Sequence, residues 1–215
     1  MSPLPSAAPD RLRACGLEIA RVAAGFAARG WTPATSSNFS MRIDDAHIAI
    51  TVSGRDKGAL AADDVMRIGL DGIAGDTAQH PSAETALHLQ IYRRLPTTGA
   101  VLHTHSHNQT VASRLFAAAG VVALHGWELQ KAITGYTTHD SQLDIPVFPN
   151  SQDMAAIAAQ VDAWLDAGKP LHGYLIDGHG LYTWGRCMDE AKRHLEALEF
   201  LLACELDLKR LGALA

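Results

Sequence analysis

The stretch that most constrains this chain is Val101-Leu102-His103-Thr104-His105-Ser106-His107-Asn108-Gln109. Gly99 opens a short apolar run, which predicts a buried strand. Side chains on a strand repeat every second residue, so a strand running through His105 projects His103 and His105 from one face. Ser106 followed three residues later by Gln109 is a capping-box pattern; it predicts a helix start that turns His107 away. A lone histidine in this setting reads as a buried ring satisfied by backbone. Two on one face, at a strand-to-helix switch, read as half of a metal clamp.

At 215 residues, 47% of them apolar, the chain can build one substantial core. The formal net charge is -5 and Lys and Arg are scattered, so there is no basic footprint for nucleic acid. No apolar run reaches membrane-spanning length, and the N-terminus lacks a charged-then-apolar signal pattern. Cys15, Cys187 and Cys204 are far apart and odd in number, which fits reduced thiols in a cytoplasm better than a disulfide framework. Eleven histidines are many for this length and ask for a chemical reason.

Residues 1–10, with three prolines, read as a flexible tail, and 11–215 as a single domain. Leu12, Ile19, Val22, Ala23 and Phe26 fit a helix that Gly30 ends. Alternation over 39–43 and 47–52, around Asp44-Asp45, predicts a hairpin. A short helix over 61–64 and a strand over 65–70 follow. Ser82 is the expected N-cap of a helix whose inner stripe is Glu84, Leu87, Ile91 and Leu95. Val111, Leu115 and Ala118 are the expected buried stripe of the helix after the histidine strand. Pro146 and Pro149 assign the strand over 145–150 to a sheet edge. A helix over 151–167, buried strands over 174–176 and 181–184, and a long helix over 188–211 complete the pattern. The early hairpin argues against a purely parallel sheet. The expected fold is an α/β single domain with a mostly antiparallel central sheet flanked by helical layers.

A catalytic zinc takes three protein ligands and an open position. His103 and His105 supply two, and His179 is the best third candidate. It too follows an apolar strand, and Gly178 and Gly180 beside it let backbone come close to a ligand. Two acids are candidates for proton work: Glu84 on its inward stripe, and Glu128, for which spacing alone favours a solvated residue pairing with Lys131. Two loops rich in hydroxyls, over 35–38 and 53–57, combine with Ser82 at a helix start. Their backbone N–H groups, hydroxyls and Lys57 suit an anion.

Taken in order, Ser37-Asn38, Ser53-Gly54, Pro81-Ser82-Ala83-Glu84, His103-Thr104-His105 and Gly178-His179-Gly180 resemble the class II aldolase/adducin family. The match covers almost the whole chain after the tail. Ser53-Gly54-Arg55-Asp56-Lys57, Glu128-Leu129-Gln130-Lys131 and Gly180-Leu181-Tyr182-Thr183-Trp184-Gly185 look closer to the family's dehydratases. The resemblance implies a three-layer fold and one zinc ion per subunit, held by His103, His105 and His179. It implies a phosphate pocket drawn from Asn38, Ser53, Gly54 and Ser82. Glu84 matches the aldolases' catalytic glutamate, and Glu128 matches the acid/base proposed for the dehydratases. A phosphorylated ketose as substrate and a homo-oligomer, commonly a tetramer with sites at subunit boundaries, are also implied. Ala83 departs from the second Ser of phosphate-aldolase pockets, which weighs toward dehydration over aldol cleavage.

Overall fold

The computed structural model describes residues 8–75 and 78–212. The strands are β1 (Asn38–Arg42), β2 (His47–Thr51), β3 (Val65–Gly69), β4 (Ala100–Thr104), β5 (Val121–Leu124), β6 (Leu143–Phe148), β7 (Gly173–Ile176) and β8 (Gly180–Gly185). The helices are α1 (Ala8–Ala28), α2 (Thr85–Arg94), α3 (His107–Leu115), α4 (Met154–Asp166) and α5 (Met188–Arg210). All eight strands form one sheet in the order β3-β2-β1-β4-β8-β7-β6-β5. Only the β6–β7 pair is parallel, so the expected mostly antiparallel α/β domain is what forms.

Strand alternation sorts the core onto two faces. Ile48, Ile50, Val101, Tyr174, Tyr182 and Trp184 meet Leu87 and Ile91 of α2 and Ile157 and Val161 of α4. On the other face, Ala49, Ala100 and Leu102 meet Ile19 and Phe26 of α1 and Leu195 of α5. Leu175 and Leu181 continue that face against Leu198 and Leu202 of α5. Burying each such Leu, Ile or Phe stabilises by about 1.5–3 kcal/mol, so these two faces hold the fold.

His103 lies two residues after Val101 and therefore faces the α2/α4 side. The β1–β4 register sets Asn38 opposite His103, and the β4–β8 register sets Tyr182 opposite it on the other flank. A polar row, Asn38-His103-Tyr182, thus crosses the strand ends on one face.

Several local expectations change. The tail expected over 1–10 lies mostly outside the described residues, but Ala8 to Asp10 already belong to α1. Residues 61–64 form a turn, closed by Asp64 Oδ2 accepting from the Ala61 amide, because four residues cannot repay helix nucleation. The proline strand β6 is interior. Pro146 stands at the end of the β5 ladder, opposite Val121, and the parallel ladder to β7 begins only at Val147, so its missing N–H interrupts neither. In α3 the buried residues are Gln109, Ala112 and Ser113, while Leu115 is 49% exposed. The polar capping box rotates α3 so that Gln109 faces inward. α4 starts at Met154, capped by Asp153, so 151–153 stay in a loop.

Candidate active site

Three elements bring the histidines together. His103 ends β4. His105 lies one residue past it, its backbone amide donating to the Trp31 carbonyl at 2.9 Å. Its Nε2 lies 2.7 Å from His103 Nε2. His179 sits in the three-residue turn between β7 and β8, where Gly178 takes φ +64°. α3 grips this turn: Thr110 Oγ1 donates to the His179 carbonyl at 2.8 Å, and Ser113 Oγ accepts from the Gly178 amide at 2.9 Å. Gly180 is needed for a different reason. A Cβ there would lie 2.1 Å from the Thr104 carbonyl oxygen, so only glycine lets β8 approach β4 beside the histidines.

Glu84 closes the group. It is the N-cap residue of α2, not its first inward turn, and Ser82 accepts from its amide at 3.3 Å without capping the helix. Its Oε1 lies 3.0 Å from His179 Nε2, and its Oε2 lies 3.3 Å from His103 Nε2. Asn38 Nδ2 and the Tyr182 hydroxyl also donate to Oε2, at 2.7 and 3.1 Å. Burial opposes ionisation of Glu84, but the neighbouring His103 and the hydrogen bonds from His179 and Asn38 hold its carboxyl well below the usual range.

These four side chains suit a divalent cation. Their ligand atoms all lie within 4.8 Å of one another. His103 Nδ1 donates to the Leu181 carbonyl at 3.0 Å, which leaves the Nε2 lone pair facing the cluster. Burial pushes the His103 ring down to about 4 and His105 to about 3, so both are neutral near neutral pH, as ligands must be. His179 Nδ1 is buried with no hydrogen-bond partner. Imidazoles packed edge to face around one carboxylate are a donor set that a cation completes.

Beside the cluster lies a cavity of about 340 Å³. His105, His179 and Glu84 line it together with Asn38, Ser53, Gly54, Lys57 and Ser82, so the anticipated anion loops do converge on the histidines. Lys57 is 1% exposed and makes no salt bridge among the described residues. Its Nζ donates to the Thr35 and Arg55 carbonyls at 2.9 and 2.7 Å, leaving one of three N–H donors unused. A buried ammonium so placed favours an anionic ligand. Ala34, Thr35 and Ser37 hold positive φ (52°, 61° and 76°), and the Ser36 and Ser37 hydroxyls are buried without partners. Strain and unused donors in one loop mark it as built around something else.

Glu128 is elsewhere. It opens a 3-10 turn (Glu128–Ala132), its side chain is 73% exposed, and it pairs with Lys131 at 2.5 Å. It does not line the cavity, because its segment follows β5 at the far edge of the sheet from β1. Sequence reasoning missed four groups that do matter: Tyr182, His88, and the loop residues Asn150 and Gln152, which line the cavity with Met154. The Asp153 cap was the available signal for that loop.

The family model for the class II aldolase and adducin N-terminal domain matches residues 17–206. The chain belongs to the class II aldolase and adducin family. Within it, a protein of Xanthomonas euvesicatoria pv. vesicatoria named methylthioribulose-1-phosphate dehydratase is 61% identical over 182 residues, 85% of this chain and 83% of its own. A protein of the same name from Xylella fastidiosa is 57% identical over 202 residues, 94% of this chain and 92% of its own. The solved L-fuculose-1-phosphate aldolase of Thermus thermophilus superposes with a TM-score of 0.72 at 25% identity, over 95% of this chain and 98% of that one. A sugar-phosphate aldolase from Thermotoga maritima, at 19% identity and a TM-score of 0.65, shares the fold over 95% of this chain and 97% of its own.

Proposed function

We propose that this chain is a hydro-lyase that dehydrates 5-methylthioribulose 1-phosphate to 5-methylthio-2,3-dioxopentyl phosphate in methionine salvage. The observation that carries the reading is the cavity that joins a histidine–carboxylate cluster to a buried, incompletely satisfied lysine. Relatives bearing the dehydratase name at about 60% identity favour loss of water over aldol cleavage.

The metal is zinc, held by His103, His105 and His179; when bound it polarises the ketose carbonyl and acidifies the C3 proton. The substrate phosphate sits among Ser53, Gly54, Ser82 and Lys57. Glu84, ionised and beside the cluster, takes the C3 proton. The C4 hydroxyl then departs as water with a proton returned to it, and the resulting enol ketonises to the diketone. Asn38 and Tyr182 hold Glu84 aimed at C3.

Glu128 takes part from a neighbouring copy, assisting at the C4 hydroxyl. Leu115, Leu129 and Phe200, 49%, 39% and 55% exposed, lie on α5 or on segments that pack along it and leave apolar side chains on the surface there. The assembly is a homotetramer in which that surface is covered. The three cysteines are unpaired, in keeping with a cytoplasmic protein.

The test is incubation of zinc-loaded protein with 5-methylthioribulose 1-phosphate, following diketone formation. Aldehyde release from fuculose or rhamnulose 1-phosphate, without any dehydration, overturns the reading.

A further inference from the structure

A chain of buried hydrogen bonds runs from Glu84 into the core. Asn38 Nδ2 meets Glu84 Oε2 at 2.7 Å, and Asn38 Oδ1 meets His88 Nε2. His88 Nδ1 lies 2.7 Å from Ser40 Oγ, which lies 3.0 Å from the Tyr92 hydroxyl. Ser40, His88 and Tyr92 are at most 1% exposed and Asn38 is 4% exposed.

Donor and acceptor roles set the direction of each bond, given an ionised Glu84 and a His88 ring that burial keeps neutral. An ionised carboxylate only accepts, so Asn38 must turn its NH2 toward Glu84 and its carbonyl toward His88. His88 must then carry its proton on Nε2, which leaves Nδ1 as an acceptor. Ser40 therefore donates to His88 and accepts from Tyr92. Each group has one role consistent with its neighbours, and reversing any one sets two like dipoles against each other. The register explains how this arises. Asn38 and Ser40 share one face of β1, and His88 and Tyr92 are four residues apart on the helix α2 that covers it.

We propose that His88 is a positioning residue for the reaction: it locks the Asn38 amide so that its N–H, not its carbonyl, faces Glu84. The ring never touches substrate. Without it, Asn38 can flip or turn away, and Glu84 loses a fixed donor that aims its second oxygen. This inference rests on the reading of Glu84 as the proton acceptor. His194 shows the contrast: it is also buried, but it bonds Thr134 and the Trp184 carbonyl, away from the cavity.

The experiment compares zinc-loaded wild type, Glu84→Gln, His88→Leu, His88→Gln and Ser40→Ala on 5-methylthioribulose 1-phosphate, with zinc content and melting temperature measured alongside. Loss of a partner behind a site residue typically lowers activity about 10–100-fold, and His88→Leu is expected in that range in kcat, with KM and zinc content close to wild type. His88→Gln keeps a donor and an acceptor and should recover most of kcat. If His88→Leu does not fold, Ser40→Ala decides the same point, with a smaller kcat loss expected. A His88→Leu, or in its place Ser40→Ala, with wild-type kcat while Glu84→Gln is inactive overturns the positioning role and leaves the Glu84 reading intact. A kcat loss in His88→Leu that His88→Gln does not recover also overturns it. If Glu84→Gln itself turns over normally, the underlying reading fails instead.

Discussion

Glu84 and Glu128 each stand at the opening of a helical turn, and the fold treats them in opposite ways. The Glu84 side chain is 15% exposed and receives hydrogen bonds from a strand, a turn and the neighbouring β8. Glu128 is 73% exposed and pairs with Lys131 and His139 on the surface. The first is preorganised by one chain. The second can act only where another surface meets it. Preorganisation is what makes a charged group useful in a transition state, because its dipoles need no rearrangement when charge moves. The proposed site therefore has a rigid half built in each chain and a half that assembly delivers.

The sharpest way to break this comparison is to remove the rigid half. His105→Ala should lose both zinc and turnover, down to background, as read by metal analysis and diketone formation. Retained zinc with full activity would dissolve the metal centre altogether. Next comes the delivered half: Glu128→Gln should keep zinc and lose about 100-fold in kcat, within the usual range for an acid–base group. Mixing dissociated and reassociated His105→Ala and Glu128→Gln chains should restore activity, since some sites then combine an intact cluster with an intact Glu128. No recovery in such mixtures would sink delivery from a neighbour.

Lys57→Met has a smaller expected effect. A charge-assisted hydrogen bond contributes about 1.5–3 kcal/mol, so kcat/KM should fall by roughly 10–100-fold, with zinc retained. An unchanged value would remove Lys57 from the anion pocket.

The smallest effect is one of pH on stability. Burial holds His88 and His103 at about 4 in the folded, metal-free chain, below the value near 6.5 of an unfolded one. The unfolded state then binds more protons between those values, so stability rises with pH. The contribution is complete above about pH 6.5 and is lost progressively as pH falls toward 4. The melting temperature of metal-free protein should follow that slope, and His88→Gln should flatten part of it. A slope unaltered by His88→Gln would contradict a neutral buried ring at that position.

Much of the rigid half was legible in the sequence. Period-two alternation paired His103 with His105, the Ser106-Gln109 box turned His107 away, and glycines flanked His179. The hydroxyl loops and Lys57 also pointed to an anion. Tyr182 and Asn38 were not legible as partners of Glu84, because cross-strand register between segments far apart in sequence decides which residues stand opposite His103. His88 carries no signal in the sequence for the same reason: its role depends on β1 lying beneath α2. The positive φ at Ala34, Thr35 and Ser37 left no trace either, since none is glycine. For Glu128, spacing alone favours a solvated residue paired with Lys131, and in this chain the side chain does lie on the surface against Lys131; its candidacy as the acid/base came from the family resemblance.

The central claim is that Glu84, fixed beside the histidine cluster, moves the proton in dehydration. The most direct measurement is kcat of zinc-loaded Glu84→Gln on 5-methylthioribulose 1-phosphate. A loss of about 10²–10⁴-fold, with zinc still bound, is the expected result. Turnover near the wild-type rate with zinc in place would contradict it.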